Sequence, residues 1–213
     1  MNTADLIAQL SGELKPTPRH APILRLVPIV LAGAAVSAVL MVAWLGIRPD
    51  LMSAMHTLGY WVKFGYTAAL AGAALWLVLR LSCPGSAVGA PTLAALVPLP
   101  LILIIAMQQL MNAPPALHKH LMMGSSSQVC PWRIVILALP ILAATLIAVR
   151  RLAPTRLMLA GAGAGVFAGA LGAWIYAFHC DESAAPFVAI WYTFGIAVVG
   201  AAGGALGRAS LRW

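Results

Sequence analysis

Hydrophobic positions run through this chain in long unbroken blocks rather than in the alternating or faced patterns of a water-soluble fold. Six blocks stand out, at about Leu26–Ile47, Tyr60–Leu81, Thr92–Leu110, Ile134–Val149, Leu157–Phe178 and Phe187–Leu206. They run from 16 to 22 residues, about the length a helix needs to cross a bilayer. The fourth block is the shortest and borrows Trp132 and Arg133 at its start. The prediction is an all-α polytopic membrane protein with six transmembrane helices in one bundle. Residues 26–207 form that bundle, residues 1–25 a leader and residues 208–213 a tail.

The leader is the only substantial polar stretch. Asn2 or Thr3 suits a helix cap, and Asp5 falls in the first turn, where the helix dipole favours an acid. Leu6, Ile7, Leu10 and Leu14 then share one face at helical spacing. Pro16, Pro18 and Pro22 end that helix and stiffen the approach to the first block. The pattern alone fits an interfacial helix lying on lipid as well as a docking stripe. No cleavable signal peptide is predicted, because the first apolar run begins near Leu26, behind Asp5 and Glu13, and is long enough to span.

Composition agrees with a lipid solvent. Of 213 residues, 62% are hydrophobic and 8% charged, and the mean hydropathy is +0.94; soluble domains carry roughly a quarter charged residues. The net charge of +8 belongs to basic loops, so no direct contact with nucleic acid is expected. Placing the N-terminus inside gives nine basic residues on inner segments: Lys15, Arg19, Arg25, Arg80, Arg150, Arg151, Arg156, Arg208 and Arg212. Outer segments then hold four: Arg48, Lys63, Lys119 and Arg133. That asymmetry places both termini in the cytoplasm. Tyr60, Trp61, Trp132, Trp174 and Tyr176 then form an outer interfacial belt, and Lys63 snorkels toward that surface.

Small residues mark the last two spans. Gly161, Gly165 and Gly169 repeat every fourth position, as do Gly200 with Gly204 and Gly203 with Gly207. Such stripes allow close helix approach in lipid. Packing within one bundle is the leading reading, with a homodimer contact the minor one. No carboxylate lies deep in a span, which counts against pumps and ion-coupled transporters.

The candidate chemistry lies in two stretches, Val129-Cys130-Pro131-Trp132-Arg133 and Phe178-His179-Cys180-Asp181-Glu182. The inner turn between the fourth and fifth spans centres near Ala153. Cys130 lies 23 residues before it and Cys180 lies 27 after it. Counted along two antiparallel helices, the thiols reach similar heights, within disulfide range if the helices are neighbours. The residues leave three readings open: a structural disulfide, two unrelated loop thiols, or a redox- or metal-responsive pair. His179 beside Cys180, on a short exposed turn, adds an imidazole, and thiolate with imidazole suits zinc-like or softer ions. His118-Lys119-His120 has only a weak metal spacing. Cys83 lies at the cytoplasmic end of its span. No phosphate loop, dinucleotide fingerprint or loop long enough for a substrate pocket is present, so an enzyme is not expected.

Six spans in this length, the Asp5-Leu6-Ile7…Leu10 leader, the Cys130-Pro131 turn and the His179-Cys180…Pro186-Phe187…Trp191-Tyr192 stretch resemble one family. It is that of the membrane-embedded anti-sigma factors called negative regulators of sigma F. The resemblance implies a multi-pass protein of the bacterial inner membrane that holds an extracytoplasmic-function sigma factor. It implies release on heavy-metal or oxidative stress, with Cys130 and Cys180 in sensing; on the residues alone, His179 joins them as a nearby candidate. A zinc-like or soft metal ion enters only as a candidate inducer. It also implies a partner surface, for which Asp5, Leu6, Ile7, Leu10 and Leu14 are the candidates. Two other classes remain: a membrane thiol–disulfide oxidoreductase, which would want a second cysteine pair, and a small metal or solute transporter, which would want midplane ligands.

Overall fold

A computed structural model of the chain describes residues 2–12, 21–83 and 88–212. The described residues form helices joined by turns, with no strand. They are α1 (Thr3–Gly12), α2 (Ala21–Trp44), α3 (Leu51–Ala54), α4 (Leu58–Leu81), α5 (Gly89–Leu96), α6 (Pro98–Asn112), α7 (Pro115–Met123), α8 (Cys130–Arg150), α9 (Leu157–Tyr176), α10 (Ala185–Phe187) and α11 (Thr193–Ser210). A π-helical turn, Val188–Tyr192, joins α10 to α11. Six of the helical runs are long and apolar enough to cross a membrane: Leu26–Trp44, Leu58–Leu81, Gly89–Asn112, Cys130–Arg150, Leu157–Tyr176 and Ala185–Ser210. The six predicted spans are therefore all present.

The bounds differ where local chemistry acts. Pro98, following Val97, splits the third span into α5 and α6, because proline supplies no N–H to the helix before it. Pro22 falls inside α2 rather than in the lead to it. Its place near the start of the helix suits a residue without a backbone donor. Of the predicted docking residues, Leu6 and Ile7 are exposed on α1, with Asp5 in its first turn. Leu10 lies on the same helix, and Leu14 lies outside the described residues.

α9 is the axis of the bundle. It packs on α2, α4, α8 and α11 and is the most buried of the six runs. Its closest neighbour is α11, and glycines make that approach. A Cβ on Gly161 would run into the Gly203 carbonyl and Gly207 Cα. One on Gly165 would strike the Val199 carbonyl. One on Gly169 would press on Ile196. The glycine stripes are thus used in backbone-to-backbone packing inside one chain. On the other flank, α2 seats Gly33 against Pro140 and Ala144 of α8, and Ser37 Oγ donates to the Leu137 carbonyl at 2.8 Å. Pro140 interrupts the α8 ladder there, and this polar contact crosses an otherwise apolar seam.

Large apolar side chains on the outward faces, including Leu31, Val39, Leu103, Ile147 and Phe194, stay exposed in the isolated chain. In water that pattern would aggregate; in lipid it is the solvated surface. The tight turn between α8 and α9 is closed at Ala153, whose φ of 52° is the one positive value for a non-glycine residue among those described. The opposite end of the bundle carries the segments 45–57, 113–129 and 177–184.

Candidate functional site

The site is built on the segment between α9 and α10. Past Tyr176 the helix tightens: His179 N and Cys180 N both donate to the Tyr176 carbonyl, at 2.9 and 3.1 Å. The Phe178 ring then lodges edge-on against Phe64 and Trp174, anchoring the turn to α4. Residues 181–184 follow without regular structure, and Pro186 stands in the first turn of α10.

Every neighbouring segment ties into this stretch. Arg48 N donates to the Phe178 carbonyl at 3.1 Å. Arg48 Nη1 donates to the Cys180 carbonyl at 3.2 Å. Lys63 Nζ donates to the same Cys180 oxygen at 2.7 Å and to the Glu182 carbonyl at 2.9 Å. One carbonyl thus accepts from two cations. The Glu182 carboxylate turns away and accepts from Ser125 N and Ser125 Oγ, at 2.6 and 2.9 Å. It lies where a Cβ on Gly124 would be, and Gly124 has a φ of +51°. Only glycine fits that turn without strain. Gln109 Oε1 accepts from Ala185 N at 2.8 Å, and Trp191 Nε1 donates to the Met122 carbonyl at 2.9 Å.

The two thiols sit beneath this lattice. Cys130 opens α8, its N–H donating to the Ser126 carbonyl at 2.9 Å. It is 0% exposed, Cys180 is 2% exposed, and both are free thiols. The thiols are within hydrogen-bonding reach of each other. The bond from Cys130 holds the Cys180 thiol below the ordinary thiol range, against its burial, and the Lys63 ammonium pulls the same way. Tyr176 reaches Cys130, and the buried Tyr192 hydroxyl faces Cys180 without a well-formed hydrogen bond.

His179 is not turned to the thiols. Its Nδ1 lies 3.0 Å from the Gly46 carbonyl and its Nε2 lies 3.3 Å from Arg133 Nη1. A neutral ring protonated on Nδ1 satisfies both contacts. Among the described residues no three His, Cys, Asp or Glu side chains gather as a metal cluster.

Above the thiols lie two open polar cavities. One, of about 530 Å³, is lined by Arg48, Asp50, Gln109, Asp181 and Ser183 among others. The other, of about 390 Å³, is lined by Leu45, Arg48, Asp50, His179 and Asp181 among others. Neither is lined by a thiol. Arg48 lines both and donates to the Cys180 carbonyl. It forms a two-pronged pair with Asp50, Nε to Oδ1 at 2.7 Å and Nη2 to Oδ2 at 2.6 Å. The bond from Arg48 holds the Asp50 carboxyl below its usual range.

Three expectations change. The thiol expected on an exposed turn is buried, because segments 45–57 and 113–129 fold over it. Lys63 does not snorkel; it is 0% exposed, because the Cys180 and Glu182 carbonyls offer it acceptors inside. Tyr60 and Tyr176 of the expected belt are buried, whereas Trp61 and Trp132 are exposed. His118 closes the end of α6, its Nε2 lying 2.9 Å from the Leu110 carbonyl. Sequence reasoning passed over Lys63, Arg48 and Tyr192 as parts of this site. The one available signal was a lysine placed inside an apolar span with no acid near it in sequence.

Comparison with known proteins places this arrangement. A family profile described as "Negative regulator of sigma F" matches residues 10–213. A probable anti-sigma-F factor NrsF from Azospira oryzae is 38% identical over 213 residues, covering 100% of both chains. The anti-sigma-F factor NrsF of Caulobacter vibrioides is 36% identical over 219 aligned positions, again covering 100% of both. No solved structure matches this chain.

Proposed function

Since the chain belongs to the family of negative regulators of sigma F, we propose that it is a membrane anti-sigma factor whose thiol pair controls release. It retains an extracytoplasmic-function sigma factor at the bacterial inner membrane and lets it go under oxidative or heavy-metal stress. Its role is regulatory rather than catalytic. Both termini and the turn at Ala153 face the cytoplasm in this reading, on the distribution of basic residues. The thiols then face the periplasm, where disulfides form and persist.

One observation carries the reading: two free thiols are buried side by side at the end of the bundle opposite the Ala153 turn. They join the start of α8 to the segment after α9. A bond or a bridging ion between them changes how those helices meet. α9 in turn sits on α11 through backbone contacts that leave no slack. Packed interfaces of this kind shift between discrete arrangements rather than yielding smoothly. The signal can shift the balance only through its different affinity for the two arrangements.

The partner side is α1, where Leu6 and Ile7 are exposed, with Asp5 and Leu10 on the same helix and Leu14 following in sequence. An apolar helix face laid in a groove is a common docking mode. The basic residues Arg80, Arg150, Arg151 and Arg156 add charge that suits an acidic partner surface. The test is capture of the protein from membranes in mild detergent. A bound sigma factor should be recovered from unstressed cells and lost after stress. Leu6→Asp with Leu10→Asp should lose it without stress, and retention by that double variant would refute docking on α1.

A further inference from the structure

We infer that Lys63 is a positioning residue that makes Cys180 the thiol that reacts first with a peroxide-class oxidant and Cys130 the thiol that resolves it. The inference rests on the proposed thiol-based release and names the chemistry of that same site. Lys63 is wholly buried, and its hydrogen bonds go to two carbonyls. Among the described residues the one ion pair is Arg48–Asp50, so no carboxylate there neutralises Lys63. A buried ammonium without an anion is costly. Of the groups near it that can carry negative charge, Cys180 acts on it most strongly, ahead of Cys130 and Asp181.

Of these, Lys63 is bonded to the Cys180 residue itself, through its carbonyl at 2.7 Å. Arg48 approaches the same oxygen. Cys130 has a rival claim, because it opens α8 and a helix N-terminus carries about half a positive charge. That end is weakened here: the Cys130 N–H is spent on Ser126, and Pro131 has no N–H to offer. A full charge in a low-dielectric site outweighs half a charge so blunted. The thiolate is the attacking form of cysteine, so Cys180 attacks.

The steps balance as follows. The Cys180 thiolate attacks the terminal oxygen of a hydroperoxide ROOH and the O–O bond breaks. Sulfur takes the OH as sulfenic acid, losing two electrons, and RO⁻ leaves and takes a proton from water. The Cys130 thiol then attacks the Cys180 sulfur. An S–S bond forms, the S–O bond breaks, and hydroxide leaves with the thiol proton as water.

The experiment uses the full chain purified in detergent, treated with cumene hydroperoxide and dimedone and read by peptide mass. With Lys63 intact, Cys130→Ser should carry the dimedone adduct on Cys180, and Cys180→Ser should carry none on Cys130. In the Cys130→Ser background, Lys63→Met should slow Cys180 modification about tenfold or more, with Lys63→Arg restoring much of the rate. An adduct on Cys130, or an unchanged rate in a well-folded Lys63→Met variant, would overturn the assignment. If Lys63→Met does not fold, the two serine variants still decide which thiol reacts first. These readings are made on sulfur without any sigma factor. Normal Cys180 chemistry with no stress-dependent release would strike the proposed function alone.

Discussion

Gly161→Ala should destabilise the bundle, although the same change in an open helix is favourable. Alanine in place of glycine in a helix interior gains about 1 kcal/mol. At Gly72 of α4 that gain stands alone, since a Cβ there would meet nothing within 4 Å. At Gly161 the new methyl would overlap the Gly203 carbonyl and lie 2.7 Å from Gly207 Cα. Both are backbone atoms, so no rotamer relieves the clash and α11 must back away by about 1 Å to reach ordinary carbon contact distances. That opens the neighbouring contacts of Gly165 and Gly169. Overpacking costs about 1–3 kcal/mol, and a rigid backbone clash belongs at the top of that range. The net loss is about 2 kcal/mol, set against a gain of about 1 kcal/mol at Gly72. Adding Gly203→Ala should cost less in the Gly161→Ala background than alone, because α11 has already moved. Equilibrium unfolding in mixed detergent–SDS micelles, followed by tryptophan fluorescence, measures all four proteins. If Gly161→Ala unfolds at the same SDS fraction as Gly72→Ala, the seam is not backbone-tight and the reasoning fails.

Other outcomes follow from the same contacts. Cys130→Ser and Cys180→Ser should abolish stress-dependent release alike, with the double variant no worse than either; normal induction in one of them would end the paired-thiol reading. Arg48→Gln should speed maleimide labelling of Cys180 several-fold, since Arg48 lines both polar cavities and holds the Cys180 carbonyl, and equal rates would show that access runs elsewhere. Asp50 has a lowered pKa in the fold, so its pairing with Arg48 is intact above the unfolded value of about 4 and is lost as pH falls through the lower folded value. Labelling of Cys180, corrected for thiolate fraction, should therefore rise only in strong acid, and should already be raised at neutral pH in Asp50→Asn. Reporter fusions at Arg19, Arg151 and Arg212 should all read cytoplasmic, and a periplasmic signal at Arg151 would invert the topology.

The spans were legible because lipid imposes one rule on every residue of a crossing, and a local window suffices to see it. The meeting of Cys130 and Cys180 was legible too, from counting along two helices on either side of Ala153. Their burial was not. It depends on Arg48, Ser125 and Gln109 reaching residues 178–185 from segments far away in sequence, and one sequence carries no trace of such pairings. α7 went unseen because Lys119 and two histidines break its apolar pattern. Lys63 was misplaced for a plainer reason. Snorkelling is the usual escape for a lysine near an interface, and it loses only when acceptors wait inside, here carbonyls 117 and 119 residues further along the chain.

The π turn at Val188–Tyr192 sets a condition on the length of the last span. An α-helix advances about 100° per residue, so a wide turn holding one additional residue resets the angular phase of everything after it. Ahead of the turn, Ala185 and Phe187 are buried, and α10 must face α6 and α7. Beyond it, Ile196, Val199 and Gly203 must face α9. A uniform helix would satisfy one of these orientations and rotate the other out toward lipid. The surplus residue lets both hold in a single continuous rod. A one-residue deletion within Val188–Tyr192 would thus be a mutation of phase rather than of composition, turning one half of the rod against the other with every side-chain type still present.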